Sequence, residues 1–295
     1  MDVVRTGDAV SEHPGGSPMN VSFGLARLGI PVDFLTRLGR DARGHAIEDH
    51  LQSVGVTVVP EPQAGITTSS ATATIDESGS AHYDFDVEWR IDARDAPAGT
   101  SAVLHFGSIS AFLRPGADTV AALVGAARST ATITYDPNIR PQFLPDHALA
   151  LAAVESHIAT SDVVKASDED VAWLYPDRAP ADVAADWLTT GPSLVVVTTG
   201  SGGSIVEFSS GHMVVAARTV EVADTIGAGD SFMAGLIAGL YWEGLLGAGS
   251  RDALRDVSAE TVRSIVDRAT LCAAITVGRR GAQPPTLAEL DAASG

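Results

Sequence analysis

The sequence is poor in the residues on which several chemistries depend. One cysteine, Cys272, occurs in 295 residues, which excludes an internal disulfide and any multi-cysteine zinc site. One lysine occurs, Lys165, and it is followed by Ala166. A phosphate-binding P-loop needs Gly-Lys followed by Ser or Thr, so that route to phosphoryl transfer is excluded. Positive charge is scarce: 19 Lys and Arg against 37 Asp and Glu leave a net charge of −18. This balance argues against nucleic acid and anionic membranes as partners, and any bound nucleotide must be held by local features. No apolar run approaches the ~18 residues of a membrane span, and no signal-peptide pattern opens the chain, so a cytoplasmic protein is expected. The eight histidines show no metal-ligand spacing. The glycine pairs 227/229 and 200/202 lack the third glycine of a dinucleotide fingerprint, which would fall at Phe232 and Ile205.

What remains is a chain with 45% hydrophobic and 19% charged residues, suited to one α/β domain with a sizeable core. Apolar spacing predicts a helix over 20–28 ending at Gly29, a strand over 31–38, and a helix over 43–54 ending at Gly55. From 67 to 91 the pattern alternates around an Asp76-Glu77-Ser78-Gly79 turn, which reads as a hairpin or small sheet. Beyond residue 100, strand-like runs at 102–105, 131–135, 161–165 and 194–198 alternate with helix-length segments. This predicts a mostly parallel sheet with helices on both faces. The 92–100 stretch is the expected hinge. Cys272 shares a helical apolar pattern with Val262, Ile265, Ala269 and Ile275 and reads as a core residue.

The most informative segment is 222–235. A β-like run over 218–222 enters a turn containing Gly227, Ala228 and Gly229, and that turn opens into an apolar helix-compatible stretch over 231–240. Such a turn exposes backbone N–H groups, and a helix starting there adds the positive end of its dipole, which together make an anion site. Asp230 on its rim suits a base that activates a hydroxyl beside a phosphoryl group. A tight strand-to-helix turn with a capping aspartate explains the same residues. Asp136-Pro137-Asn138-Ile139-Arg140 follows a predicted strand, and is either a turn or a ligand loop at a strand end.

The string Asp224-Thr225-Ile226-Gly227-Ala228-Gly229-Asp230 resembles the C-terminal signature of the PfkB, or ribokinase-like, family of carbohydrate kinases. Gly15-Gly16-Ser17-Pro18-Met19-Asn20 before an apolar helix resembles its N-terminal signature. The resemblance runs from about 15 to 285 and implies a ribokinase-like sheet with a small β lid, inserted as 8–16 and 63–92 in a single 1–295 domain. It implies ATP and Mg²⁺, with K⁺ as a further cation, and a sugar as the other substrate. It places the catalytic base on Asp230 and the anion hole on Gly227, Ala228 and Gly229. Sugar contacts fall on Asp2, Gly15, Gly16, Asn20, Asn138 and Arg140. Nucleotide contacts fall on Lys165, Thr198, Gly200, Gly203, Thr225 and Gly281. Mg²⁺ is associated with Asp170, and a monovalent cation with Asp224.

Three departures and choices accompany the resemblance. Ser167 and Asp170 stand where the family usually has Asn and Glu. Residues 1–4 read as the stub of a longer opening strand, so the chain is expected to start late relative to its natural product. The glycine-rich and Asp-Pro-Asn-x-Arg motifs look most like fructokinases. Kinases of 2-keto-3-deoxygluconate, disfavoured by Asp86 on the lid strand, and of ribose or nucleosides are the alternatives, and a non-catalytic sensor is the alternative of another class. Exposed lid edges imply a homodimer through the lid.

Overall fold

The computed structural model describes every residue except Asp8, 76–80, 98–100 and Gly295, so the turn at 76–79 and the end of the 92–100 stretch lie outside the described residues. The chain opens in the lid. β1 (Asp2–Thr6) pairs antiparallel with β2 (Ala9–His13), after which α1 (Ser17–Arg27), β3 (Asp33–Leu35), α2 (Ala42–Gln52) and β4 (Thr57–Val59) follow. β5 (Ser70–Ile75) and β6 (Ala81–Asp86) form the expected hairpin, and the lid sheet has the order β2-β1-β5-β6 with β1 parallel to β5. Residues 2–4 belong to β1, a strand of this lid sheet, so the sheet begins at Asp2 and not at residue 8. The strand expected over 31–38 shrinks to β3, which pairs only with β4.

The central sheet gathers the apolar runs that follow. β7 (Val103–Gly107), α3 (Gly116–Ala127), β8 (Thr132–Asp136), α4 (His147–Ala159) and β9 (Val163–Ser167) alternate as predicted. After α5 (Asp168–Leu174) and α6 (Pro180–Leu188) come β10 (Leu194–Thr198), β11 (Ser204–Phe208) and β12 (Gly211–Val215). The order is β12-β11-β10-β9-β8-β7, parallel from β7 to β10 and antiparallel at β11 and β12. β8 and the apolar residues of β9 and β10 are buried on both faces, which is why those strands carry near-continuous Val and Ile instead of alternation.

Residues 218–222, β-like in sequence, are not a strand. The segment pairs with no described strand, and the chain just after it is tied through the N–H groups of Ala223 and Asp224 to the Val277 carbonyl, at 2.9 and 3.1 Å. The turn then leads into α7 (Ala228–Trp242), followed by α8 (Arg251–Arg255), α9 (Ala259–Val277) and α10 (Leu287–Ser294). No helix among the described residues is long and apolar enough to cross a membrane.

Every residue of α7 from Asp230 to Leu240 is buried, as expected for a helix that is apolar all round. It packs on α9 through glycines: a Cβ on Gly235 would lie 2.8 Å from Ala269 Cα and 3.0 Å from Cys272 Sγ. Cys272 is fully buried, and burial pushes its thiol up to about 12, in line with a core residue. Gly235→Ala should therefore destabilise the protein by about 1–3 kcal/mol through overpacking. Gly125, in α3 with open space around it, gives the opposite sign, and Gly125→Ala should stabilise by ~0.5–1 kcal/mol. Urea midpoints of the two variants check both.

Candidate active site

Asp230 sits in the first turn of α7 and is 9% exposed. Its carboxylate faces the first turn of α1: Ser17 Oγ donates to Oδ1 at 2.6 Å and Asn20 Nδ2 donates to Oδ2 at 2.8 Å. Gly227 provides the left-handed residue (φ +76) that starts α7, where a Cβ would come within 2.5 Å of Ala282 Cβ. The Ala228 N–H turns back to Thr225 O and the Ser231 N–H bonds Gly227 O. No side chain caps this helix, so the N–H groups of Gly229 and Asp230 remain for a ligand. Gly229 packs over Lys165, whose Nζ would lie 3.0 Å from a Cβ at that position. An anion is thus met by free N–H groups, a helix N-terminus and an ammonium.

The sugar side is built from the lid and the ends of the central strands. Asp2, at the start of β1, lies so close to Gly15 that a Cβ there would meet its Oδ2 at 1.8 Å. Burial, with Asp230 adding to it, raises the Asp2 carboxyl above its usual value against the opposing charges of the N-terminal amine and Arg140. Gly16 (φ +124) is the N-cap of α1, a conformation that only glycine adopts readily. Asn138 holds φ +38 in the loop after β8, and Arg140 Nη1 donates to the Ile139 carbonyl at 2.9 Å. From the lid, Phe85 meets Phe143 edge-on at 4.9 Å. Asp86 is exposed, and its neighbours Phe85 and Val87 line the cleft while it does not. Residues of a strand alternate between faces, so Asp86 is not where a carboxylate substrate would meet it, and the wall there is apolar.

On the nucleotide side, the turn after β10 closes through Thr199 N–H to Gly203 O at 2.8 Å, and Thr198 Oγ1 donates to Ala166 O at 3.3 Å. Gly203 (φ +97) leaves no room for a side chain, since a Cβ would lie 2.0 Å from Val215 O. Asp224 accepts from Ile226 N–H at 3.0 Å and from Gly281 N–H at 2.9 Å, and these bonds hold its carboxyl low. Asp224 therefore clamps the loop before α7 to the segment after α9. Every sequence-predicted site residue except Asp224 and Gly281 lines one continuous cleft of about 2280 Å³, with Thr225 and Gly200 on its walls.

A charge cluster lies below the anion site. Lys165 Nζ pairs with Asp136 Oδ2 at 2.9 Å, both side chains being at most 5% exposed. Burial opposes the ammonium, but Asp136, Asp170 and Asp230 together raise Lys165 above its ordinary value. Burial, with repulsion from Asp170 and Asp230, pushes Asp136 up to about 6 in spite of Lys165. Asp170 spends its oxygens on the protein: Oδ1 accepts from Ile139 N–H at 2.7 Å, and Oδ2 from Ser167 N–H and Oγ at 2.8 and 2.7 Å. The capping box that Ser167 and Asp170 suggested is thus formed. No cluster of three or more candidate metal ligands occurs among the described residues. Ser17 and Asp136 are the site residues that sequence reasoning left unassigned. Asp136 read as a turn residue, and Ser17 stood inside the glycine-rich motif with no signal of where its hydroxyl points.

Lys165→Met removes the partner of a buried carboxylate and should cost about 3–5 kcal/mol near pH 8. The sign with pH follows from Asp136. Its pKa in the folded state already exceeds the ordinary 3.8, and losing the ammonium raises it further. The penalty is therefore full above that raised value and shrinks as pH falls through it and Asp136 takes up a proton. Chemical denaturation of both proteins from pH 8 to pH 5 should show the difference narrowing.

With this geometry in place, comparison with known proteins is informative. The family model described as pfkB family carbohydrate kinase matches residues 1–289. A fructokinase of Rhizobium leguminosarum bv. trifolii is 35% identical over 242 residues, covering 79% of this chain and 73% of the relative. Among solved structures, fructokinase from Vibrio cholerae O395 with fructose, ADP and calcium bound superimposes with a TM-score of 0.80 at 26% identity, over 99% of this chain and 95% of that one. Fructokinase from Xylella fastidiosa with bound ATP gives a TM-score of 0.88 at 24% identity, over 99% and 94%, which supports the fold. The two glycine-rich motifs, the parallel sheet with its β lid and the full-length family match agree, and the chain belongs to the pfkB family of carbohydrate kinases.

Proposed function

We propose that the enzyme transfers the γ-phosphoryl group of ATP to the primary 6-hydroxyl of fructose, with Asp230 as the base. The kinase class follows from the family. The fructose assignment draws support from the fructokinase relatives and from the Vibrio cholerae structure that holds fructose and ADP. The observation that carries the mechanism is the position of Asp230: a half-clamped carboxylate at the mouth of an uncapped helix, with free N–H groups beside it.

The sugar lies between lid and core, where Asp2, Asn20, Asn138 and Arg140 offer acceptors and donors for its hydroxyls. Asp230 takes the proton of the primary hydroxyl, and the hydroxyl oxygen forms a bond to the γ-phosphorus. The bond from that phosphorus to its bridging oxygen breaks, and ADP leaves with the electron pair. Charge on the transferring group is met by the Gly229 and Asp230 N–H groups and the head of α7. Fixing the partners in line, under the Phe85–Phe143 contact, supplies much of the rate. The nucleotide lies along the Thr198–Gly203 turn and Thr225, with Gly281 closing over it.

Mg²⁺ bound to the triphosphate neutralises charge. The donor set fits a hydrated ion: the neighbouring groups are carboxylates, Asp136 Oδ1 is buried without a hydrogen-bond partner, and Asp170, both of whose oxygens are engaged by the protein, would meet the ion through water. A monovalent cation beside Asp224 would act on the clamp between the 224–226 loop and Gly281.

ADP release from Mg·ATP across fructose, ribose, 2-keto-3-deoxygluconate, glucose and adenosine tests the assignment. Fructose should give the highest kcat/KM. Asp230→Asn should lower turnover by about 10²–10⁴-fold with fructose binding nearly intact. Near-normal turnover in that variant refutes the base, and silence on all sugars favours a sensor.

The lid sheet also ends in the edge strands β2 and β6, and it exposes Val4 and Val10, 37% and 56% accessible. A second copy pairing there would cover both features. Sedimentation equilibrium should show a dimer, and Val10→Lys should shift it toward monomer.

A further inference from the structure

Asp230 makes a contact that neither the nucleotide nor the sugar chemistry demands. Ser17 opens α1 immediately after Gly16, with Pro18 beside it fixing the first turn. A serine there ordinarily caps its own helix. In this helix the N-cap is Gly16 and no side-chain cap bond is made; the Ser17 hydroxyl crosses to the first turn of a different helix and donates to Asp230 Oδ1 at 2.6 Å. Asn20, one turn on, donates to the other oxygen at 2.8 Å. The carboxylate is thus held at both oxygens from one face of α1.

We propose that Ser17 is a positioning residue for Asp230, fixing the plane of its carboxylate so that a free lone pair faces the incoming sugar hydroxyl. This rests on Asp230 being the base. An ionised carboxylate has about four acceptor sites and Ser17 and Asn20 take two, so the sugar hydroxyl binds without displacing either. The other charged groups that face Asp230 are Asp2 from β1, Asp136 from β8 and Lys165 from β9. None of them touches Ser17 through a hydrogen bond, so a Ser17 variant changes one contact in the set.

Ser17→Ala, measured beside Ser17→Thr and Asp230→Asn, is the test. In Ser17→Ala, kcat should fall by about 10–100-fold, about the effect of 1.4–2.7 kcal/mol, with KM for ATP and the fructose Kd within about threefold of wild type. Ser17→Thr, which keeps the hydroxyl, should recover most of the lost kcat. In the Asp230→Asn background, Ser17→Ala should add no further loss. A kcat identical to wild type overturns the proposal. So does a rise in fructose Kd with kcat preserved, which would make Ser17 a sugar contact, and so does a Ser17→Thr variant that folds and is as slow as Ser17→Ala. If Asp230→Asn itself turns over normally, the base assignment fails, and the positioning role fails with it. If Asp230→Asn is inactive while Ser17→Ala is normal, the base stands and only the role of Ser17 is lost.

Discussion

The contact between the head of α1 and the head of α7, made through the Asp230 carboxylate, is the constraint on which the rest of the structure depends. Two helix N-termini face each other there, and a negative side chain between them satisfies donors from one helix while belonging to the other. The bond lengths are set far from the site. α7 is buried through Leu240 and is seated on α9 at Gly235 and Gly239, where a Cβ would lie within 3 Å of Ala269 Cα and Ile265 Cγ2. A shift in that packing would swing the first turn of α7 and with it Asp230. The chemistry is thus held by a helix pair whose close approach requires glycine.

The strong acidity of the chain makes this local arrangement necessary. With a net charge of −18, the overall field repels a triphosphate. Attraction has to come from groups that carry no formal charge elsewhere in the balance: unpaired N–H groups at the start of α7 and the dipole behind them. The one lysine of the chain lies directly below, fixed by Asp136 and surrounded by further carboxylates. Three carboxylates share one ammonium, so the cluster retains negative charge when empty, and a ligand cation or the N–H groups above must balance it. Burial of Lys165 keeps its charge from being screened, which lets a single residue matter in a protein so poor in cations.

Much of this was legible in the sequence, for physical reasons that differ by element. Strands β8 to β10 declared themselves because burial on both faces leaves only apolar residues, and Gly227 to Asp230 because a left-handed start to an uncapped helix needs glycine. What was not legible depends on distant partners. The run 218–222 has strand-like residues, but it joins no sheet, and the residues that follow bond to the Val277 carbonyl at the end of α9. Residues 1–4 read as the stub of an opening strand with no partner named, and only the pairing with β2 and β5 places β1 in the lid sheet. Asp86 disfavoured an acid sugar only if it faced the cleft, and the alternation of β6 turns Phe85 inward and leaves Asp86 exposed. Ser17 and Asp136 were visible as residues, but the direction of a hydroxyl and the burial of a turn aspartate are settled only when α7 and β9 arrive beside them.

The same geometry bears on how a kinase avoids transferring phosphate to water. A base fixed beside an anion site would activate water as readily as a sugar unless water is kept out when the nucleotide binds. Residues that belong to the lid close the sugar end in two ways. Asp2 reaches from β1 to the edge of the Gly15–Gly16 turn, and Phe85 reaches from β6 to Phe143 of the core. Both strands lie in one hydrogen-bonded sheet, so a polar contact and an apolar contact to the sugar end of the cleft are carried by a single element. Apolar walls of this kind exclude solvent beside the groups that would meet a sugar hydroxyl. Gly16 stands between that sheet and α1 at φ +124, a conformation that suits glycine, and α1, starting at the next residue, carries Ser17 and Asn20 to Asp230. The proposed base is thus held by donors from a helix of the core and not from the smaller sheet.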